Sequence, residues 1–355
     1  MNRLMHLRET LPANIDGNKH HPNVEFVVLD YNSRDGMEDW IRSHMYEYIE
    51  SGLLKYYKTY DPVHFHMSHS RNMAFRLASG NVICLVDADN YTGAGYAEWV
   101  DTIFTGHGTN TIITTISKDH MLGNGDTAGR LCFGREVLYR AKGFDESLVG
   151  YGVEDLDLAN RLDKAGVQRV YIDRGEFLNY ISHSHEERVK NHHLINNLFN
   201  IYIEISSTMY KKCRVLYLLR DNSFKELHYE FKGIRQVDLF RAHGGWLAGQ
   251  DGYASGRFEQ TPEGLLLQFE NNSTLRLQES KKGLLQGSGT GNSTIWKVIS
   301  PEDTLYVKLV KSYGECINRI KLWENDKKKY DSVNIEGWGK GTVYLNFDTH
   351  TPIHI

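Results

Sequence analysis

The strongest constraint on this chain is a change of rhythm near residue 205. Up to that point strand-like and helix-like segments alternate. "VEFVVLD" (24–30) is an apolar run of strand length. "GMEDWIRSHMYEYIESG" (36–52) has the spacing of an amphipathic helix and stops at Gly52, and "LKYYKTYD" (54–61) alternates like a strand. "SRNMAFRLASG" (70–80) is a short helix closed by Gly80, and "NVICLVDAD" (81–89) is the next strand. A helix near 94–104 leads to the strand "NTIITTI" (110–116). "AGRLCFGREVLYRAKG" (128–143) reads as strand then helix, "VEDLDLANRLDKAG" (153–166) as helix and "VQRVYI" (167–172) as strand. Strands separated by helices imply an α/β domain, a mostly parallel sheet with helices on both faces. Beyond 205 the pattern becomes apolar–polar alternation between Gly and Asn turns, as in "GLLLQFENNSTLRLQES" and "DTLYVKLVKSY", with no convincing helix. That predicts an antiparallel β-sandwich or jelly roll. The expected divisions are a first domain over 1–205, a linker or helical connection over 206–235, and a β domain over 236–355.

A chain of 355 residues has room for two cores, and 40% hydrophobic with 24% charged residues suits a soluble globular protein. A net charge of −4 gives no electrostatic case for nucleic acid or an anionic membrane surface. The four cysteines, Cys84, Cys132, Cys213 and Cys316, are far apart and form no zinc-type pair. Cys84 and Cys132 lie in apolar strand-like runs and read as inert core residues. No apolar run approaches the ~20 residues of a membrane span, and the N-terminus lacks a signal-like stretch. The expectation is a cytoplasmic protein, with peripheral association to a membrane left open.

The segment with most chemical content is "ICLVDADNY" (83–91), four apolar residues running into two acids. In open α/β sheets, ligands bind beyond the carboxyl ends of the strands. In extended backbone Asp87 and Asp89 point the same way, and two carboxylates on one side repel unless a cation or hydrogen bonds compensate. A hard divalent ion such as Mg²⁺ or Mn²⁺ is the natural compensation. The alternative is a solvated turn in which Asp89 or Asn90 caps the next helix.

Three blocks in order give this segment a context. "SRNMAFRLASGNVICLVDADN" resembles the block of GT-A glycosyltransferases, family 2 and β-galactosyltransferase-like, in which Arg-Asn opens a helix, Ala-x-Gly closes it and a strand delivers D-x-D. "KGFDESLVGYGVEDLD" (142–157) is similar to the acceptor-side block of those enzymes, and "NRLMHL" (2–7) to the segment that follows their first strand. The resemblance covers about residues 2–200 and implies a GT-A, Rossmann-like fold. It also implies roles: Asp89 as metal ligand on the diphosphate, and Asp87 near the ribose and metal. Arg3 and Arg71 would contact the nucleotide, and Asp30 would approach its base. For each arginine the plain alternative is a surface helix residue. The resemblance further implies an apolar strand ahead of Asn2, which the sequence does not contain.

The resemblance makes Asp155 the base that takes a proton from the acceptor hydroxyl, with Glu154, Tyr151 and Gly152 on the acceptor side. At a helix start, Glu154 and Asp155 gain from the N-terminal dipole, which is expected to keep the base ionised at neutral pH. Asp157, one turn on, reads as structural. The alternative for the block is an acidic helix start with capping carboxylates. "ISHSHEERVKNHH" (181–193) carries four histidines. Of these His183 is expected as the second metal ligand, with His185 as second choice, and imidazole beside carboxylate favours Mn²⁺ over Mg²⁺. The alternative leaves all four solvated. The glycine-rich stretch 117–130 is either an ordinary loop or one that moves over donor or acceptor. Trp246, Trp296, Trp323 and Trp338, four of the six tryptophans, either fill a core or interface or bind sugar faces.

The expected activity is that of an inverting, Mn²⁺- or Mg²⁺-dependent glycosyltransferase. It would move galactose or N-acetylgalactosamine from a UDP-sugar to an oligosaccharide or glycolipid-linked acceptor. Two other classes compete: a nucleotidyltransferase, which would want a basic glycine-rich loop after the first strand, and a non-catalytic carbohydrate-binding protein.

Overall fold

The computed structural model describes residues 1–116, 127–184, 186–187, 191, 197–205, 212–231, 239–240, 253–280, 284–289, 293–303 and 305–355. The chain divides into two compact units, one formed by Met1–Ser184 with Lys321–Ile355 and the other by His185–Ile320. The second is thus an insertion in the first. The C-terminal segment from Lys321, expected with the β domain, belongs to the first unit.

The first unit runs α1 (Leu4–Asn18), β1 (Phe26–Tyr31), α2 (Met37–His44), α3 (Tyr46–Glu50), β2 (Leu54–Thr59), α4 (Met67–Leu77), β3 (Val82–Leu85) and β4 (Asn90–Tyr91). It continues with α5 (Tyr96–His107), β5 (Thr111–Thr114), β6 (Leu131–Gly134), α6 (Arg135–Arg140), α7 (Glu154–Lys164), β7 (Gln168–Tyr171) and β8 (Asn179–Tyr180). The alternation seen in the sequence is therefore present, but a mostly parallel sheet is not. β1 pairs with β2 and β5 with β7 in parallel, whereas β6 lies antiparallel between β3 and β5. The tail adds β18 (Thr342–Leu345), antiparallel to β2, and β19 (Ile353–His354) beside it. The sheets are mixed because one strand turns back within the α/β run and another arrives from the far end of the chain. Among the described residues the orders are β1-β2-β18-β19 and β3-β6-β5-β7, with no strand joining them. Cys84 on β3 is exposed rather than a core residue, while Cys132 is buried.

Helix α1 covers one apolar cluster through Leu7, Leu11 and Ile15, packed with Ile41, Leu54 and Tyr56. Helix α4 divides its apolar face: Phe75 joins the Ile83–Phe133–Phe144 cluster, and Met73 and Leu77 join Tyr31, Tyr57 and Val343. Trp338 fills the former cluster.

The second unit begins β9 (Leu198–Ile205), β10 (Lys212–Leu219), β11 (Ser223–Phe231), β12 (Leu239–Phe240) and β13 (Tyr253–Thr261). It continues β14 (Gly264–Phe269), β15 (Thr274–Glu279), β16 (Leu284–Gly289) and β17 (Thr294–Ile299), then α8 (Tyr306–Asp326), whose residues from Lys321 on are counted with the first unit. The strands pair antiparallel in the order β10-β9-β17-β16-β15-β14-β13-β11, and β11 pairs back onto β10. This is a closed eight-stranded barrel, not the expected sandwich or jelly roll. Leu265, Leu267, Leu275, Leu277 and Trp296 pack its core, the inward half of each alternating strand.

Two other expectations fail here for a visible reason. The described part of the 206–235 connection, residues 212–231, is not helical: β10 and β11 form a hairpin whose turn holds Asn222 at φ 62. Val215, Leu216, Tyr217 and Leu218 are all buried, so the period of two is lost. Leu216 and Leu218 face the barrel core, while Tyr217 stacks on Tyr313 of α8 and donates to the Leu309 carbonyl at 3.1 Å. "DTLYVKLVKSY" is largely the start of α8, with Leu309, Val310, Tyr313 and Cys316 buried at helical spacing. Trp296 is core, Trp323 is half-exposed with Lys327 over its ring, and Trp246 lies outside the described residues.

Glu25 ties β1 to the chain after α4. It accepts from Lys55 at 2.7 Å and from the Ser79 and Gly80 amides. Burial alone would raise its pKa, but these donors outweigh it and hold the carboxyl down to about 2, from 4.5. A depressed carboxyl stabilises the fold above its unfolded value, and that stability is lost as pH falls through the folded one. We expect Glu25→Gln to cost about 1–2 kcal/mol at neutral pH and to match the parent near about pH 2, by denaturant titration across pH.

Candidate functional site

Strand β3 ends at Leu85, so both acids lie in the turn that follows, closed by the Asn90 amide donating to the Asp87 carbonyl at 2.9 Å. The two carboxylates do not share one partner. Asp87 turns to α4, where Arg71 Nη2 donates to both its oxygens at 3.0 and 3.2 Å. Asp89 turns the other way, its Oδ2 lying 2.5 Å from His183 Nε2. The short pairing of β4 with β8, Asn90 opposite Tyr180, brings residue 183 to this turn, and the Ile181 amide donates to the Asp89 carbonyl at 2.8 Å.

Arg71 does more than hold Asp87. Its Nη1 donates to Glu154 at 3.2 Å and to Asp155 at 2.8 Å, at the start of α7. One buried guanidinium thus spans three carboxylates from the two acidic blocks. Burial works against its charge, yet Asp155, Asp87 and Glu154 outweigh it and raise its pKa above the ordinary value. Phe144 lies beneath it, with the ring centroid 5.3 Å from Cζ. Gly129 is required at its side: a Cβ there would stand 2.4 Å from Asp87 Oδ2.

At α7 the sequence expectation is corrected. The helix dipole does not keep Asp155 fully ionised. Burial pushes its pKa up to about 7, from 3.8; Arg71 opposes that rise, while Glu154 and Asp87 add to it. Burial likewise raises Glu154. Approach to the helix passes through Gly152 at φ 89 and Val153 at φ 66. A β-branched residue in the left-handed region is strained, by about 1 kcal/mol or more. Tyr151 and Gly152 lie in this turn, separated from the acids by Val153. Asp157 is structural: it accepts from Arg161 at 2.8 Å and from Asn325 at 2.9 Å.

Asp30 is enclosed, accepting from the Tyr56 hydroxyl and the Ser33 amide, each at 2.7 Å. Arg3 is the N-cap of α1, its carbonyl accepting from the His6 and Leu7 amides. His185, His192 and His193 fall outside the described residues, as do 117–126 of the glycine-rich stretch. Arg130, which the sequence did not single out, is fully buried and clamps the acid turn. It donates to Asn90 Oδ1 and the Tyr91 carbonyl at 3.0 Å each, and to the Phe177 carbonyl. A charged residue in "AGRLCF" beside apolar strand residues was the available signal. Among the described residues no three His, Cys, Asp or Glu side chains are gathered as a ready metal cluster. No described helix is long and apolar enough to cross a membrane.

Asp155 yields a stability test. Its folded pKa lies above its unfolded one, so the protonated form is favoured by folding; that contribution is full below the unfolded value of 3.8 and lost as pH rises through about 7. Asp155→Asn is expected to exceed the parent by about 1–2 kcal/mol near about pH 8 and to converge with it in acid, by thermal and denaturant melts.

No family model matches the chain, and no curated protein does. Solved structures match in part. A mannosyltransferase from Pyrobaculum calidifontis, in complex with GDP-Man and Mn²⁺, is 18% identical, covering 48% of this chain and 51% of its own, with a TM-score of 0.38. TarS of S. aureus (residues 1–349) is 15% identical over 52% of this chain and 58% of its own, at 0.40. GalNAc-T7 with UDP, GalNAc and Mn²⁺ is 11% identical over 87% and 70%, at 0.40. The chain spans somewhat over half the length of the first two. Likeness at this level assigns nothing, and the weight falls on the geometry.

Proposed function

We propose that this chain is an inverting, metal-dependent glycosyltransferase of GT-A type. It would move galactose or N-acetylgalactosamine from a UDP-sugar to a hydroxyl of an oligosaccharide or glycolipid-linked acceptor. The observation that carries the reading is Arg71. Through one guanidinium it joins the Asp87 side of the D-x-D turn to the Asp155 side of the second acidic block. A single sugar placed there would have its leaving group over one block and its incoming hydroxyl over the other.

Asp89 and His183 have the chemistry to hold a divalent cation: a carboxylate oxygen and an imidazole nitrogen 2.5 Å apart, both largely shielded. That pair suits Mn²⁺. When bound, such a cation neutralises charge on the departing nucleoside diphosphate. Asp155 accepts the acceptor's proton as the hydroxyl oxygen bonds to the anomeric carbon and the bond to the diphosphate breaks. A base with a pKa near the working pH combines a useful ionised fraction with real basicity. Glu154 and the Tyr151–Gly152 turn orient the acceptor, while Arg71 keeps both acid blocks in register as Asp155 gains its proton. Arg3 and Asp30 are assigned to the nucleotide side on sequence resemblance alone.

The test is a panel of UDP-, GDP- and CMP-sugars with Mn²⁺ and saccharide acceptors, followed by nucleotide release. Transfer from a UDP-sugar should rise with pH through about 7 as Asp155 ionises. Asp155→Asn should lower kcat by about 10²–10⁴-fold with UDP binding kept. Asp89→Ala should lose Mn²⁺-dependent UDP binding. If neither substitution changes release, the reading is wrong.

A further inference from the structure

The acid turn is held on one side by a face of α1 that an ordinary packing helix would not have. His6, Thr10, Asn14 and Asn18 recur every fourth residue and are 4%, 1%, 7% and 5% exposed. Four residues are just over one helical turn, so these side chains form a single stripe. Their hydrogen bonds follow the turn in order. Thr10 Oγ1 donates to the Ala88 carbonyl at 2.7 Å, the peptide between the two acids; its intrahelical alternative, the His6 carbonyl, is at 3.3 Å. Asn14 donates to the Asn90 carbonyl at 2.9 Å and accepts from the Thr92 amide at 2.7 Å. Asn18 donates to the Gly93 carbonyl at 3.0 Å and accepts from the Ala97 amide at 2.8 Å. At the head of the stripe the His6 ring sits edge-on to His183, with centroids 5.3 Å apart.

Packing alone does not call for this. Apolar side chains would bury the helix without the ~1–3 kcal/mol exposure to loss that each buried polar group carries if its partner moves. What the stripe fixes is orientation. The Ala88 carbonyl cannot rotate while Thr10 holds it, and that peptide sets where Asp89 projects.

We propose that α1 is a positioning element for the metal site: Thr10 and Asn14 lock the Asp87–Asp89 turn in its ligating form, and His6 sets the ring of His183. This rests on the assignment of Asp89 and His183 as ligands, and the experiment separates the two. Mn²⁺ binding to the full chain is titrated by the EPR signal of the free ion, with no turnover involved, alongside thermal melts. Thr10→Val, which keeps shape and removes the hydroxyl, should weaken Mn²⁺ binding by about tenfold or more in a protein that still folds and melts cooperatively, and Thr10→Ser should restore it. Asn14→Ser, which withdraws the donor from Asn90, gives a second reading should Thr10→Val not fold. Parent-like Mn²⁺ affinity in a folded Thr10→Val or Asn14→Ser protein overturns the positioning role. Parent-like affinity in Asp89→Ala overturns the ligand assignment instead.

Discussion

Three carboxylates on one buried cation is the constraint around which the first unit is organised. Asp87, Glu154 and Asp155 come from segments far apart in sequence, and brought together alone they would repel or take up protons. Arg71 makes the meeting possible. Because it stands on α4, the position of that helix fixes both the end of β3 and the start of α7. The balance is incomplete: burial raises the pKa of Asp155 and Glu154, and one guanidinium shared among three acids opposes that rise without cancelling it.

Much of this was legible in the sequence. The acids of "DADN" stood out by their place after an apolar strand, and those of "GYGVEDLD" and the arginine of "SRN" through the resemblance. His183 could be picked from four histidines only through resemblance, and the structure sets it against Asp89. What was not legible is partnership. Arg71 was expected on the nucleotide, and its tie between the two acid blocks was not foreseen. Asp87 and Asp89 were expected to share one direction, but the strand stops before them and a turn separates their side chains. Polar helix residues such as Thr10 and Asn14 have no sequence signature at all, because a hydroxyl or amide facing a distant carbonyl looks like one facing water.

The tail shows the same limit. "KGFDES" reads as part of an acceptor block, yet Asp145 accepts from Asn325 at 2.7 Å, and Glu146 accepts from Asn72 at 2.8 Å and from the Gly339 amide at 2.6 Å. Asn334 donates to the Lys142 and Phe144 carbonyls at 2.7 and 2.6 Å. Asn325 and Asn334, in a segment with weak local pattern, knit the end of the chain into the α/β unit. Alternation of apolar and polar residues could show that the inserted segment was β-rich. It could not show closure, which depends on β10 having partners on both sides.

The insertion bears on the order in which the molecule can be assembled. β18 must find β2, Tyr344 beside Lys58, across nearly the whole length of the chain. Closing so long a loop as a free coil carries an entropic cost that grows with the logarithm of its length. Hairpins such as β13–β14 and β14–β15 are local, while the barrel they belong to also pairs β9 with β17, Ile205 opposite Ile295. Once formed, the barrel would shorten the loop that the tail has to close. The search by the tail is then shortened before it begins. The barrel would thus also serve as a spacer in folding, entered just beyond the residue that faces Asp89.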